Sequence, residues 1–210
     1  FRFYLGNANT NLTLQNGNVT FNEGLKMTNA GSFVSGANAA GLALYISGVT
    51  VDGNRCTTTA NAGLINAQRT GNVVVIKDST FKNFTATSAG YGGAINLYSG
   101  TGTLENVTFE NCTAANGGAI AVRNGATMTM KNCTIIDCTS TDTSNEEGKG
   151  AGAILVGGGN YSFCDGSNPN CPKKSCPRQQ YTGYKKGDNT MRIAVTYDNG
   201  EIFQHFGHTE

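Results

Sequence analysis

Seven cysteines and two histidines are the side chains of this 210-residue chain best suited to bind a metal or act as nucleophiles. Cys164, Cys171 and Cys176 are spaced Cys-x6-Cys-x4-Cys among Pro169, Pro172 and Pro177. Structural zinc sites use closer ligand pairs, and neither His205 nor His208 is near this cluster in sequence, so the spacing predicts an irregular linker. An odd cysteine count rules out a complete set of intrachain disulfides. Cys112 and Cys138 are expected to face one another in adjacent repeats, as a bond or, preferably, as two small buried thiols. Cys133 reads as a core residue. Acid–base or cation-assisted chemistry needs clustered carboxylates and a nearby base. Asp52, Asp78, Glu110 and Asp137 are dispersed, and no histidine precedes His205. No catalytic constellation, and no cofactor for the body of the chain, is therefore expected.

The elements that would position these residues are set by a repeat. Thr20, Thr50, Thr80, Thr108 and Thr134 recur at spacings of 30, 30, 28 and 26 residues. The flanking segments, such as Asp78-Ser79-Thr80-Phe81-Lys82-Asn83 and Asn106-Val107-Thr108-Phe109-Glu110-Asn111, alternate apolar and polar with period two, the pattern of a half-buried strand. Gly, Asp or Asn closes most copies, with Asn83, Asn111 and Asp137 at equivalent positions; these residues tolerate left-handed bends. A period of 26 to 30 residues identifies a stacked repeat.

A second short strand precedes the later copies: Gly93-Ala94-Ile95-Asn96-Leu97 and Gly118-Ala119-Ile120-Ala121-Val122 are examples. Stacking in register places Ile65, Ile95, Ile120 and Ile154 in one inward column. Ile46, Ile76, Leu104 and Met130 form a second, and Val51, Phe81, Phe109 and Ile135 a third. Outward, Lys77, Glu105 and Lys131 alternate in sign, as do Asp52, Lys82 and Glu110, which favours register because like charges directly opposite are unfavourable. The expected fold is all-β: a right-handed, single-stranded parallel β-helix, or pectin-lyase-like solenoid, of about six coils over residues 1–160. The hand is taken from fold-level analogy. A β-sandwich is the alternative, but it would not need one period carried through several columns together.

With 15 basic and 14 acidic residues the chain lacks the electrostatic footprint of a nucleic-acid binder, and no apolar run reaches the length of a membrane span. Low charge with abundant Thr, Asn and Gly fits an extracellular or cell-surface solenoid. Open coil ends expose unpaired backbone groups and invite end-to-end association.

The pairing of Gly92-Gly93-Ala94-Ile95 and Gly117-Gly118-Ala119-Ile120 with Phe81-Lys82-Asn83 and Phe109-Glu110-Asn111 resembles the repeats of polymorphic outer-membrane proteins and related adhesin β-helices. The resemblance covers roughly residues 40–156; Phe84 and Cys112 stand where the family's Phe-x-x-Asn motif would place Asn. It implies a surface-displayed stalk, adhesin or autotransporter passenger with a host or cell-surface glycan or protein as partner. Polysaccharide lyases share this fold class, which makes lyase or hydrolase activity the enzymatic alternative.

Residues 161–190 read as an irregular Cys- and Pro-containing linker. Met191-Arg192-Ile193-Ala194-Val195-Thr196-Tyr197, the turn Asn199-Gly200 and His205-Phe206-Gly207-His208 then resemble the opening of the dinitrogenase iron-molybdenum cofactor-binding family. That resemblance implies His205 and His208 as contacts to a metal cluster, in a truncated domain start over residues 191–210. Lys185-Lys186-Gly187-Asp188 can be encoded by AAA-AAG-GAG-AT, a bacterial ribosome-binding sequence just before Met191. The tail is accordingly expected to be a read-through or assembly joint.

Overall fold

The computed structural model describes residues 2–27, 31–36, 40–87, 90–142 and 152–158, with the backbone alone of 160–164, 196–198 and 201–203. Alternating side chains in Gly-rich sequence produce strands throughout, and no helix occurs among the described residues. One sheet stacks six short strands in chain order: Phe3–Tyr4, Val34–Gly36, Ile65–Ala67, Ile95–Leu97, Ile120–Arg123 and Ile154–Gly157. A second sheet stacks Asn11–Thr20, Ala43–Thr58, Asn72–Ala86, Gly100–Glu110, Thr127–Lys131 and Asn160–Cys164, every pairing parallel. Each strand lies on its counterpart one repeat along the chain, which defines a parallel β-solenoid. Six strands in depth enclose about five complete turns, one fewer than expected, and at about 4.8 Å per strand they make a rod about 24 Å tall. Separately, Thr196–Asp198 and Glu201–Phe203 pair antiparallel. The expected turn at Asn199-Gly200 and the expected strand at Ile193–Val195 lie outside the described residues.

The three inward columns form as expected. Ile65, Ile95, Ile120 and Ile154 are successive register partners, as are Ile46, Ile76, Leu104 and Met130. Val51, Phe81, Phe109 and Ile135 make the third, with the Phe81 and Phe109 rings 5.8 Å apart. A fourth column places Phe84 between Cys56 and Cys112, and the Phe84 ring meets Phe21 edge-on at 5.9 Å. The buried Ser79 hydroxyl of the segment Asp78-Ser79-Thr80-Phe81 is satisfied: it donates to the Lys77 carbonyl at 2.6 Å and accepts from the Val49 N–H at 3.1 Å.

Two bends separate the faces of each long strand, and left-handed residues occupy both. Asn16, Gly48, Asp78, Asn106 and Asn132 stack at the first, with φ of 47° to 63°. Asn83, Asn111 and Asp137 stack at the second, with φ of 63°, 50° and 50°. Their side chains join the coils: Asn106 donates to Asp78 at 2.7 Å, Asn132 to Asn106 at 2.8 Å and Asn111 to Asn83 at 2.7 Å. In the coil containing Asp52 the second bend is wider, because Gly53, Asn54 and Arg55 replace the single residue Asn83 between register partners.

The bends also correct the first copy of the repeat. Thr50, Thr80, Thr108 and Thr134 form a continuous outward ladder, but Thr20 lies opposite Asp52, and Asn18 occupies the Thr position. A two-residue slip keeps every side chain on its own face, so period-two alternation does not register it. What selects the observed register is the left-handed bend at Asn16, which stacks on the bend at Gly48 only with this offset.

The repeat also extends past the expected limit at residue 160. Asn160–Cys164 adds a sixth strand to the long sheet, with Phe163 in register with Met130. Residues 161–164 therefore belong to the solenoid, not to an irregular linker.

The Gly-Gly-Ala-Ile motif has a steric cause. Gly92 is left-handed (φ 77°), and a Cβ there would overlap the Ile95 carbonyl. A Cβ on Gly93 would overlap the Gly118 carbonyl and stand 2.6 Å from the Thr113 N–H nitrogen. The chain enters the short sheet through a gap that admits backbone alone.

Candidate functional site

The outer surface is built from columns, and most of its charge is consumed within them. Lys77 and Lys131 flank Glu105 at 3.1 and 2.8 Å from neighbouring coils. Hydrogen bonds from Lys131 and then Lys77 hold the Glu105 carboxyl below its ordinary range. Burial pushes Asp52 upward, but the Asn83 amide at 2.7 Å, the Asn54 N–H at 2.8 Å and Lys82 at 3.4 Å outweigh it, and the net shift is downward. Asp78 accepts from Asn106, and Glu23 pairs with Arg55. These carboxylates join coils. Among the described residues no group of three His, Cys, Asp or Glu could hold a metal ion.

Both depressed carboxylates add stability that is present above their unfolded pKa, about 4, and lost as pH falls through the lower folded value. The denaturant midpoint is expected to fall as pH drops from about 5 through these depressed values. A chain carrying Asp52→Asn and Glu105→Gln should lose less over that interval, since its neutral amides have nothing to protonate. The effect is small because both sites are solvent-screened.

A different grouping lies on the outer face of the short sheet. Tyr98 directly follows the strand Ile95–Leu97, and Arg123 ends the next one, Ile120–Arg123, so the two stand one coil apart. The Arg123 guanidinium carbon is 3.4 Å from the Tyr91 ring centroid and 5.0 Å from that of Tyr98. Stacking on aromatic faces fixes the plane of a guanidinium and is worth about 0.5–2 kcal/mol. No ion pair joins Arg123 to a carboxylate among the described residues, and burial lowers its pKa. Alongside, the Gln68 and Asn96 side-chain amides both donate to the Asn66 Oδ1 at 2.9 Å. That amide ladder stops at Asn96, because the next coil carries Ala121. The Asn96 Oδ1 and the Arg123 Nε are buried without hydrogen-bond partners. The stack thus combines a fixed cation and a partly exposed tyrosine, next to a buried acceptor that lacks a partner. None of its members is singled out by the sequence, although Tyr98 and Arg123 follow the register partners Leu97 and Val122.

The four described cysteines carry free thiols. Burial pushes Cys56 up to about 12 and also raises Cys133. Cys112 and Cys138 stack as expected, with the Cys112 N–H donating to the Cys138 Sγ at 3.4 Å. Thr50, Thr80 and Thr108 are half-exposed and Thr134 exposed, forming a hydroxyl stripe. His205, His208, Cys171 and Cys176 lie outside the described residues, and Cys164 is described by its backbone alone. Among the described residues no helix is long and apolar enough to cross a membrane, which says nothing of a β-barrel.

The fold and surface define a parallel β-solenoid with ladder-built faces. Comparison with protein-family models, curated proteins and solved structures finds no match to the chain.

Proposed function

We propose that this chain is a non-enzymatic repeat segment of a bacterial surface or secreted protein, which presents its outer face to host or cell-surface ligands on a stiff stalk. The observation that carries this reading is the Tyr91–Arg123–Tyr98 stack, whose Tyr98 is exposed. A planar cation held against aromatic rings on a stacked sheet is preorganised, so little side-chain entropy remains to be lost when a ligand docks. Tyrosine and arginine are also the residue types that dominate binding hot spots. The Gly-Gly-Ala-Ile resemblance to polymorphic outer-membrane protein repeats supports the surface setting. The strand Asn11–Thr20 pairs on one side only among the described residues, and its other edge suits end-to-end association with a further coil.

A glycan array and a cell-binding screen test the proposal, comparing the native chain with Arg123→Ala. Ligand capture by the native chain and at least a tenfold loss in the variant are expected, the magnitude of a lost hot-spot side chain. Capture no better than that of an unrelated β-solenoid would remove the binding role and leave that of a spacer.

A further inference from the structure

The geometry points to Cys112 and Cys138 as a dithiol site that a small disulfide such as oxidised glutathione converts into a cross-coil bond. Thr113 pairs directly with Thr139, which places Cys112 and Cys138 at equivalent positions of adjacent coils. Strand neighbours lie about 4.8 Å apart, inside the Cα range a disulfide spans. Each follows a left-handed residue of φ 50°, Asn111 or Asp137, so the local backbone is the same in both coils. Their thiols also share one orientation, Cys112 donating to the Glu110 carbonyl at 3.4 Å and Cys138 to the Ile136 carbonyl at 3.3 Å. The two sulfurs therefore point the same way, one coil apart, and the Cys112 N–H already contacts the Cys138 Sγ.

Accessibility assigns their order of reaction. Cys112 is fully buried and Cys138 is partly exposed. The side-chain interaction between the two thiols lowers the pKa of Cys138 and raises that of Cys112. Cys138 thiolate attacks one sulfur of the glutathione disulfide, forming a mixed disulfide and releasing one glutathione thiolate, which takes up the proton Cys138 has lost. Cys112 then attacks the Cys138 sulfur, expelling the second glutathione, which takes up the Cys112 proton. Two protein thiols are oxidised and one small disulfide is reduced to two thiols. The other described cysteines are poorly placed to compete. Phe84 separates Cys56 from Cys112 in their column, and Cys133 lies on the preceding face, beside Val107.

The full chain, reduced and then exposed to oxidised glutathione, tests the site by non-reducing peptide mapping. The expected product joins the peptides of Cys112 and Cys138 with a loss of two hydrogens, and dithiothreitol reverses it. In Cys112→Ser the reaction should stop with glutathione on Cys138; in Cys138→Ser, Cys112 should remain unmodified. Stable glutathione on Cys138 in the native chain, or a bond from either residue to another cysteine, would overturn the assignment. The native map decides the matter even where a variant fails to fold.

Discussion

Replacing Gly92 with alanine is expected to destabilise the solenoid by about 3 kcal/mol or more, whereas the same change at Gly125 should cost only about 1 kcal/mol. The two glycines have nearly the same backbone, with φ of 77° and 76°. They differ in surroundings: a Cβ at Gly92 would overlap the Ile95 carbonyl and approach the Ala121 nitrogen within 2.8 Å, while Gly125 has nothing within 4 Å. The pair thus separates intrinsic left-handed strain from loss of space. Because the obstacle at Gly92 is the backbone of two coils, relief would require parting the short sheet. Denaturant unfolding of both variants measures the difference, and equal midpoints would show that strain alone gives the motif its glycine.

Truncating Phe81 to alanine should cost about 3–5 kcal/mol, the range for a fully buried aromatic. Phe81 is completely buried between Val51 and Phe109 in the third inward column. A solenoid has only nearest-neighbour contacts, so the damage should be graded along the rod. Amide hydrogen exchange is expected to accelerate most in Asn72–Ala86, next in Ala43–Thr58 and Gly100–Glu110, and least in Ile154–Gly157. Uniform acceleration would instead mean that the coils unfold as one unit.

The columns were legible because each position is repeated, so a misreading of Ile95 would conflict with Ile65 and Ile120. The register of Thr20 is not legible in the sequence, because alternation fixes the face of a side chain and leaves a shift of two residues invisible. Only a residue with a special backbone angle, Asn16, breaks that degeneracy. Asn160–Cys164 is not legible from the Thr column, because this strand meets the sheet at the Thr127–Lys131 position, upstream of any Thr counterpart. The stack of Arg123 on Tyr91 and Tyr98 depends on where a corner brings Tyr91. Corners vary in length from coil to coil: ten residues separate Thr85 from Ile95, and seven separate their register partners Thr113 and Ile120 (95−85 and 120−113). A column argument carries no information across such a gap.

Parallel pairing also governs how the rod responds to tension. Its inter-strand hydrogen bonds run along the stacking axis, so a load on the two ends opens one coil at a time, with the bonds peeled in sequence. The 26 residues between Thr108 and Thr134 occupy about 4.8 Å of rod when coiled and release about 85–95 Å of chain when drawn out. Each peeled coil is thus an extensible reserve many times longer than the height it gives up.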